Sequence, residues 1–123
     1  MKYIIIWFSI ISLMIIGCEG TKTAEEYFTV AEVERNAKNI KVSLENLDNL
    51  IKHYPEHALA PQAQYLMGDI YMNDLRDFDS AIAAYVNVVN NFSGTNQEAQ
   101  AQFMIGYISV SYTHLTLPTK RIV

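Results

Sequence analysis

The sequence predicts an all-α fold, a solenoid of about 2.5 stacked helical hairpins with a period of 38 residues, preceded by a signal segment. Two observations predict it. The stretch Tyr65-Leu66-Met67-Gly68-Asp69-Ile70 returns 38 residues later as Phe103-Met104-Ile105-Gly106-Tyr107-Ile108, and the same offset relates Tyr65 to Tyr27, Phe92 to Tyr54, Tyr85 to Leu47 and Asp77 to Asn39. Between Thr23 and Ser109, apolar residues recur every three or four positions, the period of one helix face.

The elements follow in chain order. Thr23 and Glu26 form a capping box that opens a first helix over about Ala24 to Asn36. Asn39 can cap the second, whose Ile40, Leu44, Leu47, Leu50, Ile51 and Tyr54 share a face until Pro55 ends it. Only Ala37-Lys38 separates the two, which forces an antiparallel hairpin. The second hairpin opens near Ala60, with Pro61 tolerated in the first turn because its missing amide hydrogen has no partner there. Its inner stripe is Ala63, Leu66, Met67, Ile70 and Tyr71. After a turn at Asn73-Asp74-Leu75-Arg76, Asp77 caps a helix that buries Phe78, Ala81, Ile82, Tyr85, Val88, Val89 and Phe92. Ser93-Gly94 stops it. Thr95 and Glu98 form another capping box and open a third hairpin, which has a first helix but no second, so Met104, Ile105 and Ile108 are expected to lack half their packing.

Gly68 and Gly106 stand at the same place in their helices. A glycine there costs about 1 kcal/mol relative to alanine, so a compensating contact is expected. The expected contact is a close helix crossing, with Gly68 facing Ala81 and Tyr71, Phe78 and Tyr85 filling the flanks. Gly68, Tyr71, Phe78, Ala81, Tyr85 and Phe92 resemble the Gly, Tyr, Ala and Phe positions of the tetratricopeptide repeat, and Tyr54-Pro55 resembles its closing proline. The resemblance spans about Tyr27 to Ser109 and is fullest over Gln62 to Phe92. In the first unit Val30 stands where glycine is expected and Ser43 where alanine is expected. The resemblance implies stacked hairpins whose repeat-packing residues are Gly68, Tyr71, Ala81, Tyr85 and Gly106.

The ends read differently. Lys2 precedes an almost wholly apolar run, Tyr3 to Ile16, interrupted only by Ser9 and Ser12. Its 14 residues fall short of the roughly 20 that a membrane-crossing helix needs. The run closes in Ile15-Ile16-Gly17-Cys18, which resembles the bacterial lipobox. That resemblance implies a lipoprotein signal peptide over 1–17, lipid attachment at the Cys18 thiolate and a lipidated linker over 18–22. The two or three acyl chains of such an anchor would hold firmly, since each buried methylene adds about 0.8 kcal/mol. Glu19, where aspartate would favour the inner membrane, points to the outer membrane. The repeats are assigned to 23–109. Over 110–119, Val110-Ser111-Tyr112-Thr113-His114-Leu115-Thr116-Leu117-Pro118-Thr119 leaves the helical pattern and resembles translated sequencing-library adapter DNA. Residues 110–123 are therefore expected to be a non-native tail, with further repeats in the parent gene, and His114, Lys120 and Arg121 carry no functional argument.

Without Lys2, Lys120 and Arg121, six basic residues face 13 acidic ones, a balance of about −7. Such a body repels phosphates, which disfavours nucleic acid. Cys18 is the one cysteine, so no internal disulfide is possible.

Catalytic signatures are missing from the sequence: it has no glycine-rich phosphate loop, serine elbow or cysteine–histidine pair. His53 and His57 have metal-pair spacing, but Pro55 should break the helix that would align them. Asp74, Asp77 and Asp79 lack the glycine and terminal glutamate of a calcium loop and are better read as caps. The expectation is a non-enzymatic scaffold with no cofactor and no metal, binding a protein or peptide in the cell envelope. Tyr65, Asp69, Gln62, Gln64 and Glu26 are the candidate contacts on a groove lined by the first helices. The 38-residue period, the lipobox and the Tyr54-Pro55 closure resemble the bacterial outer-membrane assembly lipoproteins, which implies a role in β-barrel assembly on the periplasmic face of the outer membrane. Two alternatives remain: an adaptor of peptidoglycan or cell-division machinery of the Tol-Pal accessory type, and the repeat part of an enzyme encoded further on.

Overall fold

The computed structural model describes residues 20–120, with side chains as far as residue 111. The signal segment and Cys18 lie outside the described residues. Five α-helices follow one another: α1 Ala24–Asn36, α2 Ile40–His53, α3 Leu59–Asp69, α4 Phe78–Asn91 and α5 Asn96–Lys120. A π-helical segment, Ile70–Asp74, extends α3. The fold is all-α among the described residues, with adjacent helices paired as hairpins, α1 with α2 and α3 with α4.

The caps explain where the helices begin. At α1 both halves of the capping box form, Glu26 N–H to Thr23 Oγ1 at 3.2 Å and Thr23 N–H to Glu26 Oε2 at 2.9 Å. Asp77 accepts from Ser80 N–H at 3.1 Å and from the Ser80 hydroxyl at 2.6 Å to open α4. The hydroxyl bond, then the amide bond, holds the Asp77 carboxyl below the usual carboxylate range. At α5, Thr95 accepts from Glu98 N–H, but Glu98 reaches back to Gly94 N–H rather than to Thr95. Asn39 departs from the expectation. Its side chain makes no cap bond and donates instead to Glu34 Oε2 at 2.7 Å, because α1 ends in a Schellman motif that turns Asn39 back toward it. In that motif Asn39 N–H bonds Glu34 O, Lys38 N–H bonds Arg35 O, and Lys38 takes a left-handed φ of 67°. A side chain there is strained, and Lys38→Gly is expected to raise stability by up to about 1 kcal/mol, read as a higher urea midpoint.

The repeat is visible in the backbone. Arg76, one period after Lys38, is the other left-handed non-glycine residue among the described ones, with φ 56°. Tyr54 and Phe92, again 38 apart, end α2 and α4 with matching dihedrals, φ −132° and ψ 55° against φ −129° and ψ 48°. Buried positions repeat as well: Ser43 with Ala81, Leu47 with Tyr85, Leu50 with Val88, Ala63 with Ala101 and Ile70 with Ile108.

The first helix breaks that register. At an offset of 38 the buried Ala24, Tyr27 and Ala31 would fall on Gln62, Tyr65 and Asp69, none of which is buried. At an offset of 37 they fall on Pro61, Gln64 and Gly68, all buried. The equivalence of Tyr27 with Tyr65 is therefore corrected, and so is that of Val30 with Gly68: Ala31 takes the glycine position. The cause is the π segment, whose Leu75 N–H bonds Ile70 O five residues back and so absorbs one extra residue. Phe28, Tyr65 and Phe103 then form the true aromatic series. The serine at Ser43 also finds its reason, because its buried hydroxyl donates to Ala31 O at 2.7 Å across the α1–α2 crossing.

Two apolar clusters hold the stack. One joins Ala24, Tyr27, Ala31, Leu47 and Leu50 to Ala60, Ala63 and Ile70, so α3 buries one face on the preceding hairpin. The other joins Ala81, Tyr85 and Val88 to Ala101 and Ile108, the same arrangement one repeat on. Arg35 locks the first hairpin to the second, with Nε at 2.8 Å and Nη2 at 2.7 Å from Asp74 Oδ2. The expectation that Met104, Ile105 and Ile108 lack half their packing is corrected at Ile108, which is buried, while Met104 and Ile105 are half-buried against the second cluster. The expectation that Val110 to Thr119 leaves the helical pattern is corrected too. No glycine or proline lies between Tyr107 and Leu117, so the helix begun at Asn96 continues through this stretch, and Pro118, which has no amide hydrogen to donate, falls only in the last turn before Lys120.

Candidate functional site

The stacking itself creates a two-layer surface. α3 touches both α1 and α5, whereas no Cα atoms of α2 and α4 come within 8 Å of each other. Closer spacing in one layer than in the other curves the stack, so the first helices of the hairpins line the inner side. Glu25, Gln62 and Gln100 occupy equivalent positions on α1, α3 and α5 and are all exposed, which gives the inner layer a polar ladder with one rung per repeat.

The five candidate contact residues meet different fates. Gln62 is exposed and belongs to that ladder. Glu26 is exposed but serves the α1 cap. Gln64 is a correction: it is buried, and its Nε2 donates to Ala84 O at 3.2 Å, stitching α3 to α4. Tyr65 is half-buried with its ring centroid 5.2 Å from that of Tyr85. Asp69 accepts from the Tyr85 hydroxyl at 2.6 Å. Tyr65, Asp69 and Tyr85 thus come together as one packed group. Burial, then the Asp69 charge, raises the Tyr65 pKa above the usual tyrosine value. For Tyr85 burial acts first, then the bond to Asp69 and its charge and the neighbouring Tyr65, while Arg35 opposes, and the hydroxyl ends far above its usual range.

The sign of this shift fixes an alkaline weakness. The folded chain holds the Tyr85 proton more tightly than the unfolded chain does, so the contribution is complete below the unfolded tyrosine pKa of about 10 and drains away above it. Stability measured by urea at pH 9 and pH 11 should fall, by at most about 1.4 kcal/mol per pH unit for this group. In Tyr85→Phe the fall should be shallower.

Tyr85 and Ala81 are fully buried, and Tyr71 packs against the same cluster from the π segment. Gly68 is partnered differently from the expectation. What lies nearest to it is the ring of Tyr85: a methyl group on Gly68 would fall 2.7 Å from Cδ1 and Cζ of that ring and nearer still to Cε1. Gly106 is corrected outright. Among the described residues nothing lies within 4 Å of a methyl group built there, and no described helix covers that side of α5 in the way α4 covers α3.

The histidines serve separate contacts. The His53 ring stacks on Tyr27 at 6.1 Å, whereas His57 Nδ1 accepts from Leu59 N–H at the start of α3 and its Nε2 lies 3.2 Å from Glu25. Among the described residues no group of three or more His, Cys, Asp or Glu side chains is placed to hold a metal, and no helix is long and apolar enough to cross a membrane. An open cleft of about 600 Å³ lies beside Gly20–Lys22, between Tyr27 and the Glu45, Asn46 and Asn49 side of α2. Its ammonium is already engaged: Lys22 Nζ donates to Asn46 Oδ1 at 3.2 Å and sits 5.5 Å above the Tyr27 ring.

Residues 62–95, the span from α3 through α4, match the tetratricopeptide repeat family. Over that span the chain is similar to a single tetratricopeptide repeat. No curated protein and no solved structure matches the chain. The matched repeat is the hairpin that holds the Gly68–Tyr85 contact, and both of its faces are packed, α3 on the first hairpin and α4 on α5. The two units beside it went unmatched but share its buried pattern, the first with the offset shifted by one residue in α1. Sequence reasoning missed the polar ladder. The signal for it was the equivalence of Gln62 with Gln100, 38 residues apart.

Proposed function

We propose that this chain is a lipid-anchored scaffold that holds a protein partner of the cell envelope against its inner helical layer and serves outer-membrane protein assembly. The observation that carries the scaffold reading is the curved stack of α1, α3 and α5, with its exposed ladder Glu25, Gln62 and Gln100 and no convergent catalytic group among the described residues. The tetratricopeptide repeat at 62–95 supports it, since repeats of this kind act as protein-binding scaffolds. The anchor and the location rest on the sequence: Lys2, the apolar run to Ile16 and Gly17-Cys18 for lipidation, and Glu19 for the outer membrane. Acidic excess in the body fits a partner with basic or neutral polar contacts.

Affinity capture from envelope extracts with the intact, membrane-attached protein tests this reading. Retention of a β-barrel assembly component that is lost in the double variant Gln62→Arg, Gln100→Arg supports it. Recovery of cell-wall enzymes alone overturns the assembly role. In the same cells, Cys18→Ser should abolish labelling by a radioactive fatty acid and release the protein from the membrane fraction. Unchanged labelling would overturn the anchor.

A further inference from the structure

The linker ahead of α1 is tied to the first hairpin at one residue, Lys22. The Tyr54 hydroxyl, at the end of α2, donates to Lys22 O at 2.9 Å. The Lys22 ammonium reaches along the same helix, where it donates to Asn46 Oδ1 at 3.2 Å and lies 5.5 Å from the centroid of the Tyr27 ring of α1. Both helices thus grip it. Thr23 follows as the cap of α1, and its box with Glu26 already satisfies the helix start, so the Lys22 contacts are not needed for capping. What they fix is the path of the chain into the hairpin.

Cys18 stands four residues before Lys22, and an extended chain spans at most about 3.6 Å per residue, so the two lie within about 14 Å of each other by any path. That reach is shorter than α1, whose 13 residues span about 20 Å. An anchor at Cys18 therefore serves one end of the hairpin and cannot reach the other. We propose that Lys22 and Tyr54 clamp the linker so that the edge where α1 begins and α2 ends is the membrane-facing edge, held at the lipid surface that carries the Cys18 chains, with the Ala37–Lys38 turn directed away. The loop over 55–58 shares this edge, since His57 Nε2 lies 3.2 Å from Glu25 in the first turn of α1. The inference rests on the anchor proposed above and adds what an anchor alone leaves free, the orientation of the stack over the membrane.

The test supplies the anchor chemically. The mature chain beginning at Cys18 is coupled through that thiol, its one cysteine, to a maleimide headgroup lipid in phosphatidylcholine vesicles that also carry a dansyl headgroup lipid. Trp7, the one tryptophan of the sequence, is absent from this chain. Tryptophans placed at two exposed positions, Glu56→Trp beside the clamp and Asn36→Trp at the turn, then report separately by energy transfer to dansyl. Transfer from Glu56→Trp is expected to be at least threefold that from Asn36→Trp, and Lys22→Ala combined with Tyr54→Phe should at least halve that ratio. An unchanged circular dichroism spectrum in the combined variant separates a freed linker from a lost fold. Equal transfer from the two tryptophans, or a ratio that the combined variant leaves unmoved, would overturn the proposal. Absence of fatty-acid labelling in cells alongside the expected ratio on vesicles would overturn the natural anchor and support the clamp, so the two failures are told apart.

Discussion

Truncating Tyr85 to alanine is expected to cost about 3–5 kcal/mol, a large part of the 5–15 kcal/mol that folded domains usually hold. Tyr85 is the largest fully buried side chain among the described residues and touches three things at once. Its ring covers Gly68, packs 5.2 Å from the Tyr65 ring, and its hydroxyl reaches Asp69 at 2.6 Å. Removing it opens a cavity between α3 and α4 and leaves a partly buried carboxylate short of a donor. Tyr85→Phe keeps the ring and loses only the hydrogen bond, a cost of about 1–3 kcal/mol because the acceptor is charged. Urea denaturation followed at 222 nm checks both, and the two variants should rank in that order.

The second large effect separates two glycines that look alike in sequence. Gly68→Leu should destabilise by about 1–3 kcal/mol or more, since even a first carbon there meets the Tyr85 ring, and that ring is held by Tyr65 and Asp69 and has nowhere to move. Gly68→Ala meets the same ring, and the helix-propensity gain of about 1 kcal/mol only partly offsets the clash. Gly106→Ala has no clash to offset. It should stabilise α5 by up to about 1 kcal/mol, so the same substitution one period apart changes sign. Thermal melts of the three variants, run side by side with the parent, read this directly.

That pair also shows what the sequence could and could not reveal. The period of 38 fixed α2 against α4 without error, because Leu47, Leu50 and Ser43 fall on Tyr85, Val88 and Ala81 and all six are buried. It failed by one residue in α1. A one-residue slip rotates a helix position by about 100°, and the π segment that causes it has no signature as plain as a glycine or proline. Read at 38, Val30 seemed a poor substitute for glycine; read at 37, Ala31 is a good one. Gly106 misled for another reason: equal residues imply equal surroundings only where the neighbouring helix is also present. The inner-layer candidates were harder still. Gln64 and Asp69 are polar, and a linear reading places polar residues at the surface, yet both find partners across the α3–α4 crossing, Gln64 with Ala84 O and Asp69 with Tyr85. Gln62, two residues before Gln64 and so on the opposite side of α3, is exposed.

The scaffold depends on hairpins stacked so that the Tyr85 ring of α4 covers Gly68 of α3. A nuclear Overhauser experiment on the isotopically labelled protein tests it most directly. Cross-peaks from the Gly68 α-protons to the Tyr85 ring are expected, with those α-protons shifted upfield by the ring and the Gly106 α-protons near their random-coil positions. Gly68 α-protons at random-coil shifts with no cross-peak to Tyr85 would contradict the hairpin packing and the scaffold built on it.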